Sequence, residues 1–241
     1  MRKIVYVGND KWFGCFEVLT RYNNLDIVHA FIPNDSVSLK QRCLDLNIEF
    51  TITDNINDNY VQISNLNFDL YVVLGHPFLL KENLLDVADG IGFHPSMLPR
   101  RRGRAPINWA IIDGLDKSGV SIFYLDKGVD SGDIIYREEF IIEADDTAAK
   151  LIDKVSTILA NNLPGILLSW PDFSTSTQDN SKASYTIKRK PEDGEITFEM
   201  SALEAERLVR ALNGPYPSAF ITMNNGERLY INEASINEFK Q

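Results

Sequence analysis

The sequence predicts an α/β protein built on a doubly wound, Rossmann-like, mostly parallel sheet, with a small α+β extension at its carboxyl end. Three observations carry that reading. Short, almost continuously apolar segments alternate with segments whose apolar residues recur every three or four positions, as strands buried on both faces alternate with covering helices. The 241 residues, 44% hydrophobic and 24% charged, suffice for a substantial core and match an ordinary globular chain. After Trp170 the composition turns polar and rich in Ser, Thr and Asn, so a smaller unit is expected beyond it.

The elements run in order along the chain. Arg2 to Gly8 (RKIVYVG) is a strand, and NDKWFGCFEVLTRY continues it into a turn and a helix. Asp26 to Pro33 reads as a second strand, and Ser36 to Asn47 as a helix opened by a serine cap. IEFTIT is a third short strand, succeeded by a polar segment. DLYVVLG (Asp69 to Gly75) is a fourth strand, and GIGF (Gly90 to Phe93) leads directly into His94. Ser118 to Ile142 divides into strand, loop and strand, the loop DKGVDSGD carrying three acids and two glycines. A long amphipathic helix is expected from Thr147. The division falls at 184, giving a catalytic unit over 1–184 and a small region over 185–241. That region holds a strand EITF, a helix Ser201 to Leu212 with a capping box of Ser201 and Glu204, and a hairpin on Asn225-Gly226 of type I′.

Composition also excludes functions. A net charge of −10 disfavours a general nucleic-acid binder, whose phosphate contacts need a basic surface. No run reaches the roughly 18 apolar residues of a membrane span, and no signal segment is apparent, so the cytoplasm is the expected location. Cys15 and Cys43 lie far apart without ligand spacing, and no acidic cluster asks for a metal.

Against this background GFHPSMLPRRRGRAP (Gly92 to Pro106) stands out. His94 sits at a strand end, Pro95 and Pro99 stiffen the segment after it, and Arg100, Arg101, Arg102 and Arg104 surround Gly103. Strand ends of one doubly wound sheet converge on one cleft, so His94 and the acidic loop around Asp130 form a candidate pair.

HPSMLPRRRGRAPINWAI (His94 to Ile111) followed by GVSIFYLDKGVDSGDII (Gly119 to Ile135) resembles the signature of the folate-dependent formyltransferases. The tail, YTIKRKPEDGEITF and LVRALNGPYPSAF, is similar to that of the members formylating nucleotide-linked amino sugars. The resemblance implies transfer of a formyl group from 10-formyltetrahydrofolate, as co-substrate, to a primary amine. His94 would act as base or electrostatic partner of the tetrahedral species, and Asp130 would orient its imidazole and favour its charged form. The pterin would lie against Gly75, His76, Pro77, Phe78 and Leu80 and the loop residues Asp126, Val129 and Asp133. The acceptor would meet Ser96, Met97, Arg102, Gly103, Arg104, Pro106, Asn108 and Tyr216, with guanidinium groups suited to a diphosphate.

One position departs from the family pattern Asn-x-His, whose asparagine donates to the developing oxyanion: here it is Gly92. A backbone N–H, a water or another amide such as Asn108 would have to replace it, or the activity is altered. The expected acceptor is a nucleotide-linked amino-dideoxy sugar, dTDP first among the carriers, for O-antigen or another surface polysaccharide. A homodimer is expected, without nucleic acid or membrane. Rival readings are a non-catalytic folate or nucleotide-sugar binder, a 10-formyltetrahydrofolate hydrolase and an enzyme acting on methionyl-tRNA.

Overall fold

Alternate residues of the first strand enter opposite apolar layers, and this period of two sets the frame. In β1 (Arg2–Gly8), Ile4 and Tyr6 join the layer that also holds α1 (Phe13–Leu19) and α2 (Val37–Leu46). Val5 and Val7 face the opposite layer. A computed structural model describes residues 1–237. Around β1 lie β2 (Leu25–Ile32), β3 (Phe50–Ile52), β4 (Leu70–Leu74) and β5 (Asp89–His94), in the order β3-β2-β1-β4-β5 and all parallel. The short helices α3 (Tyr60–Ile63) and α4 (Glu82–Leu85) cover the second layer through Ile63 and Leu84.

Beyond β5 the chain leaves the sheet as β6 (Arg102–Gly103) and turns through α5 (Pro106–Ile112). It re-enters as β7 (Lys117–Tyr124) and β8 (Ile134–Ile141), both antiparallel, which completes seven strands. The mostly parallel doubly wound sheet read from the sequence is therefore present. The long helix α6 (Ala148–Ser169) is capped by Thr147, whose hydroxyl accepts from Lys150 N–H, and buries Leu151, Val155, Ile158, Leu159 and Leu163 at the predicted spacing. Each such leucine contributes roughly 1.5–3 kcal/mol by leaving water.

Three local expectations are corrected. Ser36 does not cap α2; Asp10 reaches across from the end of β1 and accepts from the N–H groups of Ser38 (2.8 Å) and Leu39 (2.9 Å). A full carboxylate at the positive end of the helix outcompetes a hydroxyl there. EITF forms no strand: one parallel bridge joins Glu195 to Phe220, and Ile196 N–H donates to Phe220 O at 2.7 Å. The tail hairpin exists as β10 (Ala219–Thr222) and β11 (Arg228–Ile231), but its turn is not type I′, since among the loop residues only Gly226 has positive φ (84°). Gly226 N–H donates to Met223 O and Met223 N–H to Glu227 O, the pattern of a turn closed by a glycine bulge.

The polar stretch after α6 is not a free linker. β9 (Tyr185–Thr186) pairs with β6, and Ser176 exchanges hydrogen bonds with Ile134. Helix α7 (Ala202–Leu212), with the predicted Ser201/Glu204 box, packs Leu208, Val209 and Leu212 against Ala219 and returns to α5.

Candidate active site

His94 is the last residue of β5 and is 4% exposed. Its Nε2 lies 2.7 Å from the carbonyl of Arg101, which is turned inward because Arg101 adopts φ 61°. A carbonyl only accepts, so the proton of the neutral ring sits on Nε2 and Nδ1 keeps its lone pair. Nδ1 stands 3.4 Å from Asp130 Oδ2. Burial lowers the pKa of His94, while the Asp130 charge and the Arg101 carbonyl pull it upward; burial prevails, so the neutral form is favoured at rest.

Asp130 owes its position to two other segments. It lies in the left-handed region (φ 51°), and its Oδ2 accepts from Gly103 N–H at 2.7 Å. Gly103, at φ 100°, runs so close to β9 that a Cβ would stand 2.6 Å from Thr186 O. Only glycine fits there. Gln178, from the polar stretch after α6, donates to the carbonyls of Asp130 (2.9 Å) and Gly132 (2.7 Å) and so fixes the loop from behind.

His94 and Asp130 open on a cavity of about 860 Å³ at the carboxyl ends of the parallel strands. Of the residues expected to meet folate, Gly75, His76, Pro77, Phe78 and Leu80 line it from the β4 side, and Asp126 and Val129 from the β7–β8 loop. Asp133 does not; it stands at the foot of the loop, where its carbonyl accepts from Tyr124 N–H. Gly103, Arg104, Pro106, Asn108 and Tyr216 line the same cavity.

The structure places Arg102, Ser96 and Met97 elsewhere. Arg102 is 2% exposed, with its guanidinium bonded to Gln178, Asn180 and Tyr185, so it ties β6 to the polar stretch rather than facing the cavity. Ser96 Oγ donates to Arg100 O and closes the proline-flanked turn. Met97 lies with its thioether against Gly119.

Gly92 has neighbours that explain it. It pairs with Val73 on one side and Phe123 on the other. Leu125 N–H donates to Gly90 O, so by the alternation of an antiparallel ladder the Gly92 and Phe123 peptides bond each other. Its N–H is thus spent in the sheet. The space of the missing side chain is filled by Leu125, whose δ2 carbon lies 2.7 Å from where a Cβ would stand. Asn108 does not replace the donor simply: its amide nitrogen is engaged at 2.6 Å with Ala211 O.

Sequence reasoning missed several cavity residues. Trp12 stacks edge-on against Phe93, with ring centroids 4.6 Å apart, and supplies an apolar wall. Lys11 lies 4.8 Å above the Tyr216 ring and joins the β1 loop to the tail. Lys188, Arg189 and Lys190 reach the rim, and the run KRK in an acidic chain was the available signal for them. The fit to a pterin is physical: Phe78, Leu80 and Trp12 offer apolar faces to a flat ring, and His76 Nε2 is buried without a partner. Burial first, and Arg104 second, push the His76 pKa down to about 4, so this nitrogen meets a ligand uncharged.

The chain is similar to known proteins in sequence and in fold. The methionyl-tRNA formyltransferase of Alkaliphilus oremlandii is 31% identical over 98% of this chain and 81% of its own length. That of Clostridioides difficile is 37% identical over 68% of the chain, which spans only 54% of that relative. Among solved structures, a 4-N formyltransferase from Francisella tularensis superposes with a TM-score of 0.80 at 20% identity, covering 99% of both chains. The N-formyltransferase of Helicobacter canadensis, solved with folinic acid and dTDP-3-aminofucose, gives a TM-score of 0.76 at 18% identity, over 100% of this chain and 90% of that one. Residues 28–167 match the formyl transferase family and residues 188–241 match the formyl transferase C-terminal domain, so the chain belongs to the folate-dependent formyltransferases, whose formyl donor is 10-formyltetrahydrofolate.

Proposed function

We propose that the chain carries a formyl group from 10-formyltetrahydrofolate to the primary amine of a nucleotide-linked amino-dideoxy sugar, with dTDP as carrier, for O-antigen or another surface polysaccharide. The observation that carries the choice of acceptor is the cavity rim. Among the described residues, Lys11, Lys81, Arg104, Lys188, Arg189 and Lys190 line it against two acids, Asp126 and Asp130, in a chain of net charge −10. Such a local field suits a compact polyanion such as a diphosphate. The N-formyltransferase of Helicobacter canadensis, solved with dTDP-3-aminofucose and similar over nearly the full length, supports the same reading.

The co-substrate supplies the formyl carbon. His94 Nδ1 takes the proton from the amine nitrogen as the new C–N bond forms, and returns it to the departing folate nitrogen as the old C–N bond breaks. Asp130 stabilises the imidazolium between those events, and Arg101 O holds the ring so that Nδ1 is the nitrogen presented. Phe78, Leu80 and Trp12 keep water from the formyl carbon.

A second reading, formylation of the aminoacyl amine of methionyl-tRNA, is favoured by the names of the curated relatives at 30–37% identity. One experiment separates the two. The protein is incubated with 10-formyltetrahydrofolate and a panel of dTDP- and UDP-linked 3-amino and 4-amino sugars, with methionyl-tRNA alongside, and products are weighed. A sugar product about 28 mass units heavier, the gain of a formyl group, is expected. Formylated methionyl-tRNA alone would overturn the sugar reading; free formate alone would indicate a hydrolase. The proposal also has the enzyme work as a cytoplasmic homodimer, and light scattering tests the dimer.

A further inference from the structure

Helix α5 lines the cavity with Pro106, Ile107 and Asn108, while its next residue, Trp109, stands outside. From there the indole Nε1–H donates to Ile187 O at 2.9 Å. The guanidinium carbon of Arg189 lies 5.1 Å from the centre of the Trp109 ring, and the same guanidinium donates to Asp193 O. Trp109 thus holds the chain just after β9 at two points. Little else does. The ladder with β6 ends where Arg104 N–H donates to Thr186 O (3.0 Å), and the next turn begins where Lys190 N–H donates to Asp193 Oδ2 (2.7 Å). Between them, among the described residues, the Trp109 indole makes the only hydrogen bond to the backbone of Ile187, Lys188 or Arg189.

Exposure along this segment follows what each residue touches. Arg189 is half-buried against Trp109. Lys188 and Lys190 are exposed, line the cavity and, among the described residues, pair with no acid. A loose segment has to be ordered when an anion binds, at a cost that weakens binding, whereas a fastened one meets the ligand ready. We propose that Trp109 is a positioning residue for the anionic acceptor: from outside the cavity it fastens residues 187–190, so that Lys188 and Lys190 stand beside the cavity before the phosphates arrive. The ligand class is a nucleoside diphosphate, and the inference rests on the diphosphate reading of the rim.

The test is the dissociation constant of dTDP, measured by calorimetry in wild type, in Trp109→Leu, in Lys188→Ala with Lys190→Ala, and in the combination of all three changes. We expect Trp109→Leu to weaken dTDP about 10-fold, the scale of ordering one or two long side chains at the binding step, with the dissociation constant for folinic acid unchanged. In the protein lacking both lysines the same change should add almost nothing, because the segment then has no charge to position. A merely structural Trp109 would lower the melting temperature and leave dTDP binding as in wild type, or weaken it equally in both backgrounds. Either result overturns the assignment and leaves the diphosphate reading standing. Should Trp109→Leu fail to fold, Trp109→Phe keeps a ring beneath Arg189 and removes the N–H; dTDP should then weaken about 3-fold, again only where the lysines are present. A wild type that binds neither dTDP nor inorganic diphosphate would remove the diphosphate reading, and this inference with it.

Discussion

At the residue scale, the site is an imidazole whose Nε2–H donates to Arg101 O at 2.7 Å and whose Nδ1 faces Asp130 Oδ2 at 3.4 Å, where a proton taken up by Nδ1 meets a counter-charge. The neutral ring is the base, so activity falls as the pH drops through the pKa of His94, which burial sets below the ordinary 6.5. Asp130 pulls that pKa upward. Asp130→Asn should therefore move the acid limb of the kcat profile to lower pH while lowering kcat roughly 100-fold, because the imidazolium loses its counter-charge. A limb that moves upward would deny the ion pair. Gly92 gives a second experiment. A side chain there meets the mobile tip of Leu125 at 2.7 Å, but Val73 O only at 3.7 Å. Gly92→Asn alone should cost about 1–3 kcal/mol by overpacking, and adding Leu125→Ala should recover most of it. If the oxyanion lacks a donor, the double variant gains turnover, by up to about 100-fold. Unchanged turnover would mean that another group already serves it.

At the scale of elements, the cap of α2 shows how a long-range contact displaces a local one. Asp10 lies far from the helix in sequence, yet its carboxylate takes the N–H groups of Ser38 and Leu39, and Ser36 Oγ is left buried without a partner. Urea denaturation should find Asp10→Ala less stable by about 1–2 kcal/mol and Ser36→Ala by under about 0.5 kcal/mol. The reverse order would restore the local cap. The same logic applies to β6 and β9, two residues each, which no periodicity announces. They form because Arg102 is buried among Gln178, Asn180 and Tyr185, and their pairing carries Gly103 N–H to the Asp130 carboxylate.

At the scale of the whole molecule, charge is unevenly spread. The chain carries −10 overall, while among the described residues six cations line the cavity. An anionic acceptor is then drawn to the mouth by a field that salt screens over about 10 Å at 0.1 M. KM for a nucleotide sugar should rise between about 50 mM and 500 mM NaCl, and Lys188→Ala with Lys190→Ala should raise KM several-fold while flattening that dependence, with kcat nearly constant. A KM indifferent to salt in both proteins would remove the diphosphate from the rim. Lys11 over Tyr216 belongs to this scale too, since it joins the first loop of the sheet to the tail across the same opening.

The sequence by itself determined the strand and helix alternation, the parallel core of the sheet, the amphipathic α6 and the placing of His94 at a strand end and of Asp130 in the loop between two strands. Those features arise from apolar periodicity and from residues adjacent in the chain. The motif residues also singled out His76, Phe78, Arg104 and Asn108, which line the cavity, although no sequence pattern announced the helix α5 that carries Asn108. Only the tertiary structure decided which nitrogen of His94 is presented, that Arg102 is a buried tie rather than a ligand for phosphate, and that Leu125 occupies the space beside Gly92. Each depends on contacts between segments distant in sequence, Arg102 with Gln178 and Gly103 with Thr186 and Asp130. Their hydrogen bonds and close approaches leave no periodic trace in a single chain, because what selects them is the geometry of the folded neighbour.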